Sequence, residues 1–325
     1  MTAPSPISLD DVRSARERLA PYLVPTPLRH YPTLDAAVPG VELFVKHENV
    51  QPTGSFKVRN GLSTVTSLDA AQRAAGIVGA TTGNHGLGLS YAGGQLGVGV
   101  TICVPVGNNP EKNAALRAYG ANVVESGADY DEAVAVAQSL VDREGRTLCH
   151  STNNVNVLAG AGTMTLEILE QSDALDVLLI AVGGGSQAVG AITVARALRP
   201  GLRIIGVGAE GASAHYDGWH AKAHRTTSRA DTFAEGVATR STYATTFPTL
   251  VDGLADFVLV SDAEIADAVR LILSTTHHLV EGAGAMGVAA AGKLRERLEG
   301  QRVGVVFCGA NMDSGVLRRI LNREL

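Results

Sequence analysis

The chain has 325 residues, of which 45% are hydrophobic and 18% charged, so its composition indicates a globular protein and excludes a disordered one. Its net charge of −5, without any basic run or stripe, argues against nucleic acid as a main partner. No apolar run reaches the roughly 18 residues of a membrane-spanning helix, and the N-terminus lacks the pattern of a signal peptide. We therefore expect a cytoplasmic protein that has no membrane partner.

Short runs rich in valine and isoleucine alternate with longer amphipathic runs along the chain. The predicted strands are residues 41–47, 76–81, 99–105, 121–126, 146–150, 177–183, 203–209, 256–261 and 302–309. The predicted helices include residues 84–96, 110–119, 129–142, 159–171, 187–198, 262–277 and 284–298. Because most of these strands are continuous apolar runs, the pattern predicts an α/β fold whose parallel sheets carry helices on both faces.

A single lysine, Lys57, follows a glycine-serine turn and a phenylalanine in the segment QPTGSFKVRNG, residues 51–61. A lysine held at such a turn beside an apolar ring can be desolvated, which lowers its pKa and frees its lone pair. The neutral amine can then attack a carbonyl group. The simpler interpretation is a solvated lysine at the start of a helix, since most lysines are exposed.

The segment ATTGNHGLGLSYAG, residues 80–93, places an Asn-His pair between glycines at a strand-to-helix junction. Backbone N–H groups at the start of a helix point outward and favour an anion such as a carboxylate. Thr82, Asn84 and His85 add polar side chains to this turn. An ordinary glycine turn with a helix cap is the alternative.

Three glycines and a serine follow an apolar strand and open a helix in the segment AVGGGSQAVG, residues 181–190. Such a turn lets backbone amides approach a phosphate, and the hydroxyl group of Ser186 can add a donor. The spacing matches neither a dinucleotide-binding loop nor a P-loop. The pattern favours a phosphate site over a plain tight turn.

Two further residues lie where ligands usually bind in such folds. Cys308, in FCGANMD, follows the last long strand at the carboxyl edge of a parallel sheet. No electropositive neighbour in the sequence activates its thiol, so a nucleophilic role is disfavoured. Glu281, in HHLVEGAGA, is either a helix cap or a ligand contact.

Taken in order, these motifs resemble those of fold-type-II pyridoxal-phosphate enzymes, and within them the threonine/serine dehydratase and serine racemase branch. The resemblance extends from PTPL, residues 25–28, to CGANMD. It implies a two-lobed, tryptophan-synthase-β-like fold and a homodimer. Residues 1–69 and 151–325 would form the large lobe and residues 70–150 the small one, with pyridoxal 5'-phosphate in the cleft between them.

The resemblance also implies roles for individual residues. Lys57 would carry the cofactor covalently and later act as the base. The substrate carboxylate would be held by the turn of Thr81, Thr82, Gly83, Asn84 and His85. The cofactor-binding residues would be Phe56 beside the ring, Asn84 at the ring hydroxyl, Gly183, Gly184, Gly185 and Ser186 at the phosphate, Glu281, and Cys308 at the pyridine nitrogen.

The implied activity is that of an ammonia-lyase, which eliminates the β-hydroxyl group of an amino acid such as L-threonine or L-serine to give a 2-oxo acid and ammonia. The alternatives are a racemase, a 3-hydroxyaspartate dehydratase, a lyase for another hydroxylated amino acid, or a binding protein that has lost catalysis. A second substrate carboxylate would need an arginine, for which Arg59 and Arg240 are candidates.

The chain departs from the family pattern at four places. Thr82 stands where racemases have the serine that acts on the opposite face, and Ser186 stands in the place of a fourth glycine. HSTNNVN, residues 150–156, replaces a run bearing proline and aspartate near the substrate side chain. Metal-dependent relatives pair a glutamate with an aspartate. Glu210 is present here, but Tyr216 takes the place of the aspartate, so we expect no metal.

Overall fold

The computed structural model describes residues 5–81, 83–128 and 130–325, without the side chains of Tyr130 and Asp131. Thr82, one of the predicted site residues, therefore lies outside the described residues. The strands are β1 (Leu28–His30), β2 (Glu42–Lys46), β3 (Ile77–Ala80), β4 (Val100–Val104), β5 (Asn122–Glu125), β6 (Thr147–Leu148), β7 (Val177–Ala181), β8 (Arg203–Ala209), β9 (Asp256–Val260) and β10 (Arg302–Val306).

Helices cover the stretches between these strands. The first seven are α1 (Leu9–Leu19), α2 (Pro32–Asp35), α3 (Lys57–Thr66), α4 (Ala70–Ala75), α5 (Asn84–Leu96), α6 (Pro110–Ala118) and α7 (Tyr130–Glu144). The others are α8 (Val155–Gln171), α9 (Ser186–Leu198), α10 (Ala214–Ala221), α11 (Phe247–Gly253), α12 (Asp262–Thr276), α13 (Gly282–Lys293) and α14 (Ser314–Leu321). No helix in the described part of the chain is both long and apolar enough to cross a bilayer.

The strands form two sheets, with one apolar cluster around the larger sheet and two on the smaller one. The larger sheet has the order β1-β2-β10-β7-β8-β9 and the smaller one β5-β4-β3-β6. All pairings are parallel except that of β1 with β2. The larger sheet joins β2 to β10, so both ends of the chain contribute to it. The α/β fold with parallel sheets is therefore confirmed.

The predicted strands and the observed ones agree closely. All nine predicted strands are present, most of them shortened by one or two residues at an end. The prediction missed β1, because three residues are too few to show a period. It also missed α1, although Ser8 and Asp11 form a capping box at its start. The division into lobes at residues 70 and 150 stays a prediction.

Two glycines allow α3 and α5 to cross with their backbones in contact. A Cβ atom built on Gly61 would lie 2.1 Å from the carbonyl oxygen of Gly88, and one on Gly88 would lie 2.3 Å from the carbonyl oxygen of Lys57. No larger residue fits at either position without moving a helix. This crossing fixes the start of α3, which carries Lys57, beside the start of α5, which carries Asn84.

Candidate active site

The turn that bears Lys57 is fastened to the end of β10. The backbone N–H of Phe56 donates to the carbonyl oxygen of Cys308 at 3.0 Å, and Ser55 forms an isolated bridge with Gly309. Lys57 is the first residue of α3, and its own N–H donates to the Ser55 hydroxyl at 3.3 Å. The lysine therefore projects from the carboxyl edge of the larger sheet, the usual ligand side of such folds.

The Lys57 ammonium group occupies an apolar and weakly polar environment. Its Nζ lies 4.7 Å from the centre of the Phe56 ring and 3.4 Å from the hydroxyl oxygen of Ser186. Burial lowers the pKa of Lys57 to about 8, against the opposing influence of Cys308 and Glu281. Near neutral pH a useful fraction of this amine is unprotonated, so it can act as a nucleophile or a base.

The glycine loop lies directly opposite Lys57. Gly185 has a φ of +93°, a conformation that favours glycine, and Ser186 is the first residue of α9. A Cβ on Gly184 would lie 2.1 Å from the Thr152 hydroxyl, and one on Gly183 would lie 2.4 Å from the carbonyl oxygen of Gly236. The hydroxyl of Thr246 donates to the carbonyl oxygen of Gly184 at 2.8 Å. Neighbouring segments therefore hold this loop closely.

The loop presents donors that suit a phosphate. Among the described residues, no backbone acceptor is found for the N–H groups of Gly183, Gly184, Gly185 and Ser186. They lie at the N-terminus of a 13-residue helix, where N–H groups lack intrahelical partners and the helix dipole favours negative charge. The Ser186 hydroxyl is buried beside them. This donor set fits the phosphate of pyridoxal 5'-phosphate.

Asn84, at the start of α5, contacts Glu281, at the start of α13. The side-chain nitrogen of Asn84 donates to both carboxylate oxygens of Glu281, at 2.7 and 3.0 Å. Asn311 donates to the Asn84 oxygen at 2.7 Å and to the carbonyl oxygen of Thr53 at 2.8 Å, which fixes the orientation of the Asn84 amide. Burial raises the pKa of Glu281 to about 7, although the Asn84 hydrogen bonds act in the other direction.

Cys308 lies just beyond β10 with its thiol buried. Burial raises the pKa of this thiol well above its usual range, and the nearby Glu281 acts in the same direction. The Gln187 side chain and Lys57 oppose this shift but do not reverse it. The group is therefore a thiol and not a thiolate near neutral pH, so it is not an activated nucleophile.

The start of α5 offers backbone donors, whereas its side chains face other groups. The N–H groups of Asn84, His85 and Gly86 belong to the first helical turn, which has no intrahelical acceptors for them. The imidazole Nε2 of His85 bonds the carbonyl oxygen of Cys149 at 3.0 Å. Burial, together with Lys57, lowers the pKa of His85 to about 3. An anion bound here would therefore contact the backbone N–H of His85 and not a protonated imidazole ring.

Arg59 and Arg240 were the candidates for binding a second substrate carboxylate, and for Arg59 that prediction is wrong. Its guanidinium group is 1% exposed. Its Nε and both terminal nitrogens donate hydrogen bonds to Glu48 and Glu167 at 2.7–2.8 Å. One terminal nitrogen also donates to the Thr163 hydroxyl at 3.2 Å. All five N–H donors are thus used within the protein. Arg240 lies exposed on a loop.

The residues considered for a metal are also described by the structure. The Glu210 carboxylate lies 3.6 Å from the ammonium group of Lys293. The Tyr216 ring contacts those of His220 and Phe257. No cluster of three or more histidines, cysteines, aspartates or glutamates that could hold a metal occurs in the described residues. The expectation that the protein uses no metal stays a prediction.

Sequence reasoning did not assign several side chains that the fold brings near the predicted site residues. These are Gln187, beside Cys308, and Thr246, Thr152, His150 and Asn311. The unusual segment 150–156 was noticed, but nothing in its spacing distinguishes His150 from its neighbours. Thr246 lies 62 positions from Gly184 along the chain, so no local pattern could have linked them.

A half-buried lysine with a lowered pKa, facing a glycine loop at a helix N-terminus, is the arrangement expected of an enzyme whose amine reacts with an anionic, carbonyl-bearing group. The family model for pyridoxal-phosphate dependent enzymes matches residues 19–309. The chain belongs to this family, and its cofactor is pyridoxal 5'-phosphate.

Individual relatives agree with this assignment. An L-threo-3-hydroxyaspartate ammonia-lyase of a Pseudomonas species is 35% identical over 306 residues, covering 94% of this chain and 96% of the relative. The solved structure of maize serine racemase is 28% identical, with a TM-score of 0.92 over 98% of this chain and 97% of the other. The solved structure of serine racemase from Dictyostelium discoideum is 29% identical, with a TM-score of 0.88 over 94% of this chain and 99% of the other.

Proposed function

We propose that the protein is an ammonia-lyase that eliminates the β-hydroxyl group of an amino acid such as L-serine or L-threonine. The products are a 2-oxo acid and ammonia. The observation that carries this proposal is the position of Lys57, whose Nζ lies 3.4 Å from the Ser186 hydroxyl and whose pKa is lowered to about 8. This contact supports a site in which an amine base lies beside a loop whose N–H groups suit an anion.

When bound, pyridoxal 5'-phosphate supplies the electron sink that accepts the charge left on Cα. Lys57 is proposed to hold the cofactor and then, as a free neutral amine, to take the Cα proton onto Nζ. The N–H groups of residues 183–186 would bind the phosphate, and the buried Phe56 ring would limit the access of water to Nζ. A lowered lysine pKa suits this work, because a base is most effective when its pKa lies near the working pH.

We propose that the start of α5 binds the substrate carboxylate through the N–H groups of residues 83–86, together with the hydroxyl groups of Thr81 and Thr82. The proposed partner of the cofactor's ring hydroxyl is the Asn84 side chain, whose orientation is supported by its bond from Asn311. Glu281 would keep this amide in place, and the Cys308 thiol would face the pyridine nitrogen. A neutral thiol does not hold a proton on that nitrogen as a carboxylate would.

Racemisation is the second candidate, because maize serine racemase has the same fold over nearly the whole chain. It would require a second base on the opposite face of Cα, for which Thr82 is the only candidate from the sequence. An unperturbed hydroxyl group is a poor base, and the threonine methyl group restricts its rotamers. Elimination is therefore expected to exceed racemisation.

Two measurements on the same samples test this function. Release of 2-oxo acid is followed for L-serine, L-threonine and L-threo-3-hydroxyaspartate, while chiral chromatography records the D-enantiomer in the remaining amino acid. We expect 2-oxo acid to form faster than any D-enantiomer, and Lys57→Ala to abolish both. Faster accumulation of the D-enantiomer would replace the lyase assignment with a racemase.

Three further features are proposed, the first from the composition of the sequence and the other two from the family resemblance. They are a cytoplasmic location, a homodimer, and a cofactor cleft between residues 70–150 and the rest of the chain. In support of the first, Cys103, Cys149 and Cys308 are all free thiols, as a reducing compartment requires. Sedimentation equilibrium would test the dimer directly.

A further inference from the structure

The segment that departs from the family pattern, residues 150–156, begins with a histidine whose orientation is fixed. The Nδ1 atom of His150 accepts the backbone N–H groups of Thr152 at 2.9 Å and Asn153 at 3.0 Å. An atom that accepts two hydrogen bonds carries no proton, so the single proton of the neutral ring is on Nε2. His150 thus presents one N–H donor on the side of the ring away from its own turn.

That ring belongs to a segment that packs against the glycine loop. His150 follows β6, at the carboxyl edge of the smaller sheet, and the next residues pack Thr152 against Gly184 of the phosphate loop. Its ring is half-buried and meets the Tyr243 ring edge-on at a centroid distance of 5.8 Å. Burial lowers the pKa of His150, and the charge of Lys57 acts in the same direction.

The same hydrogen bonds prevent His150 from acting as a general acid that gives up a proton and is then reprotonated. Protonating the occupied Nδ1 would break both backbone hydrogen bonds, and losing the Nε2 proton would leave an imidazolate. Its chemistry in this position is therefore confined to a hydrogen bond from a neutral N–H group. Such a donor suits a neutral oxygen on the substrate.

We propose that His150 is a substrate-binding residue whose Nε2–H donates a hydrogen bond to the β-oxygen of the substrate. It would orient that oxygen and stabilise the charge that develops as the Cβ–O bond breaks, while keeping its own proton. The site would then select amino acids with a neutral β-hydroxyl group. This inference rests on the proposed function, since it concerns the group that elimination expels.

Two substitutions separate this role from a structural one. In His150→Asn, the side-chain oxygen can replace Nδ1 as acceptor for the turn, but the Nε2–H donor is lost. In His150→Gln, the amide N–H can reach the Nε2 position, but the acceptor of the turn is lost. If His150 only supports the turn, His150→Gln should lower the activity more than His150→Asn. If His150 binds the β-oxygen, His150→Asn should lower it more.

The substrates supply the second control. Chloride leaves β-chloro-L-alanine without needing a hydrogen-bond donor, and L-alanine binds without any β-oxygen. In the holoenzyme, we expect His150→Asn to lower kcat/KM for L-serine or L-threonine about 10- to 100-fold, as for the loss of one hydrogen bond to a developing charge. Elimination from β-chloro-L-alanine should change by less than about threefold on the same argument. The affinity for L-alanine, followed by cofactor absorbance, should not change.

Three results would overturn the inference. They are an equal loss with both types of substrate, a larger loss in His150→Gln than in His150→Asn, or full activity of His150→Asn on the hydroxy substrate. In each of these the wild type still releases 2-oxo acid from a hydroxy amino acid, so the proposed function stands. If the wild type eliminates chloride but no hydroxyl group, the proposed function and the inference both fail.

Discussion

Asn84 donates both of its short side-chain hydrogen bonds to one carboxylate, that of Glu281, at 2.7 and 3.0 Å. The two residues are 197 positions apart in the chain and come from the starts of α5 and α13. Burial nevertheless dominates the titration of Glu281 and raises its pKa to about 7. A carboxyl group with such a pKa makes stability depend on pH in an unusual direction.

The first prediction concerns this carboxyl group. Its pKa is higher in the folded protein than the ordinary 4.5, so its contribution to stability is complete below pH 4.5 and is lost as the pH rises through about 7. Relative to Glu281→Gln, the wild type should therefore lose up to about 3 kcal/mol of unfolding free energy between pH 4.5 and pH 8. Urea denaturation of both proteins across this range measures the difference, and a constant difference would contradict the shift.

The second prediction concerns the attachment site of the cofactor. Borohydride reduction of the purified yellow protein should fix the cofactor to Lys57, because this amine combines a lowered pKa with a glycine loop opposite it. Peptide mapping locates the label. Lys46 is a useful internal control, since its ammonium group is fully buried and bonded to Glu167 at 2.8 Å. A label on Lys46 or Lys112 would refute the assignment.

The same lysine should show its lowered pKa in the pH dependence of labelling. The extent of reduction at Lys57 after a short exposure to added cofactor should rise with a midpoint near pH 8. An exposed lysine would instead show a rise near pH 10.4, the value typical of the free side chain. A midpoint close to that value would mean that Lys57 is hydrated.

The Ser186 hydroxyl gives the third prediction. Ser186→Ala removes one donor to the phosphate, and a hydrogen bond to a charged group contributes about 1.5–3 kcal/mol. Cofactor affinity should fall about 10- to 100-fold, measured by equilibrium dialysis of the holoenzyme. Ser90→Ala is a matched control, because that buried hydroxyl bonds the carbonyl oxygen of Gly86 within its own helix. Equal affinities for wild type and Ser186→Ala would mean that the backbone amides bind the phosphate without the Ser186 hydroxyl.

The buried ion pairs of Arg59 with Glu48 and Glu167 give the fourth prediction. Arg59→Leu leaves the carboxylates of Glu48 and Glu167 buried without their guanidinium partner, which should cost about 3–5 kcal/mol of unfolding free energy. Arg297→Leu is the control, because Arg297 is 62% exposed in its pair with Asp256, and exposed pairs contribute about 1 kcal/mol or less. Urea denaturation compares them, and similar losses in both variants would refute the argument.

The sequence alone was sufficient for most of the regular elements and for the order of the motifs. A buried parallel strand needs a continuous apolar run, and a glycine loop before a helix needs small residues in succession, so both are visible locally. Lys57, the glycine loop and Cys308 could therefore be named from their neighbours in the chain. The α/β fold followed from the alternation of strands and helices.

Only the tertiary structure decided how these residues combine. Whether Lys57 is desolvated depends on Phe56 and on a loop 129 positions away, and whether Arg59 is available depends on Glu48 and Glu167. The identical arginine would be a plausible substrate ligand if it were exposed. Burial and hydrogen-bond partners are properties of contacts between distant segments, and a pattern of neighbouring residues does not record them. His150 shows the same limit, since the tautomer of its ring is set by the shape of its turn.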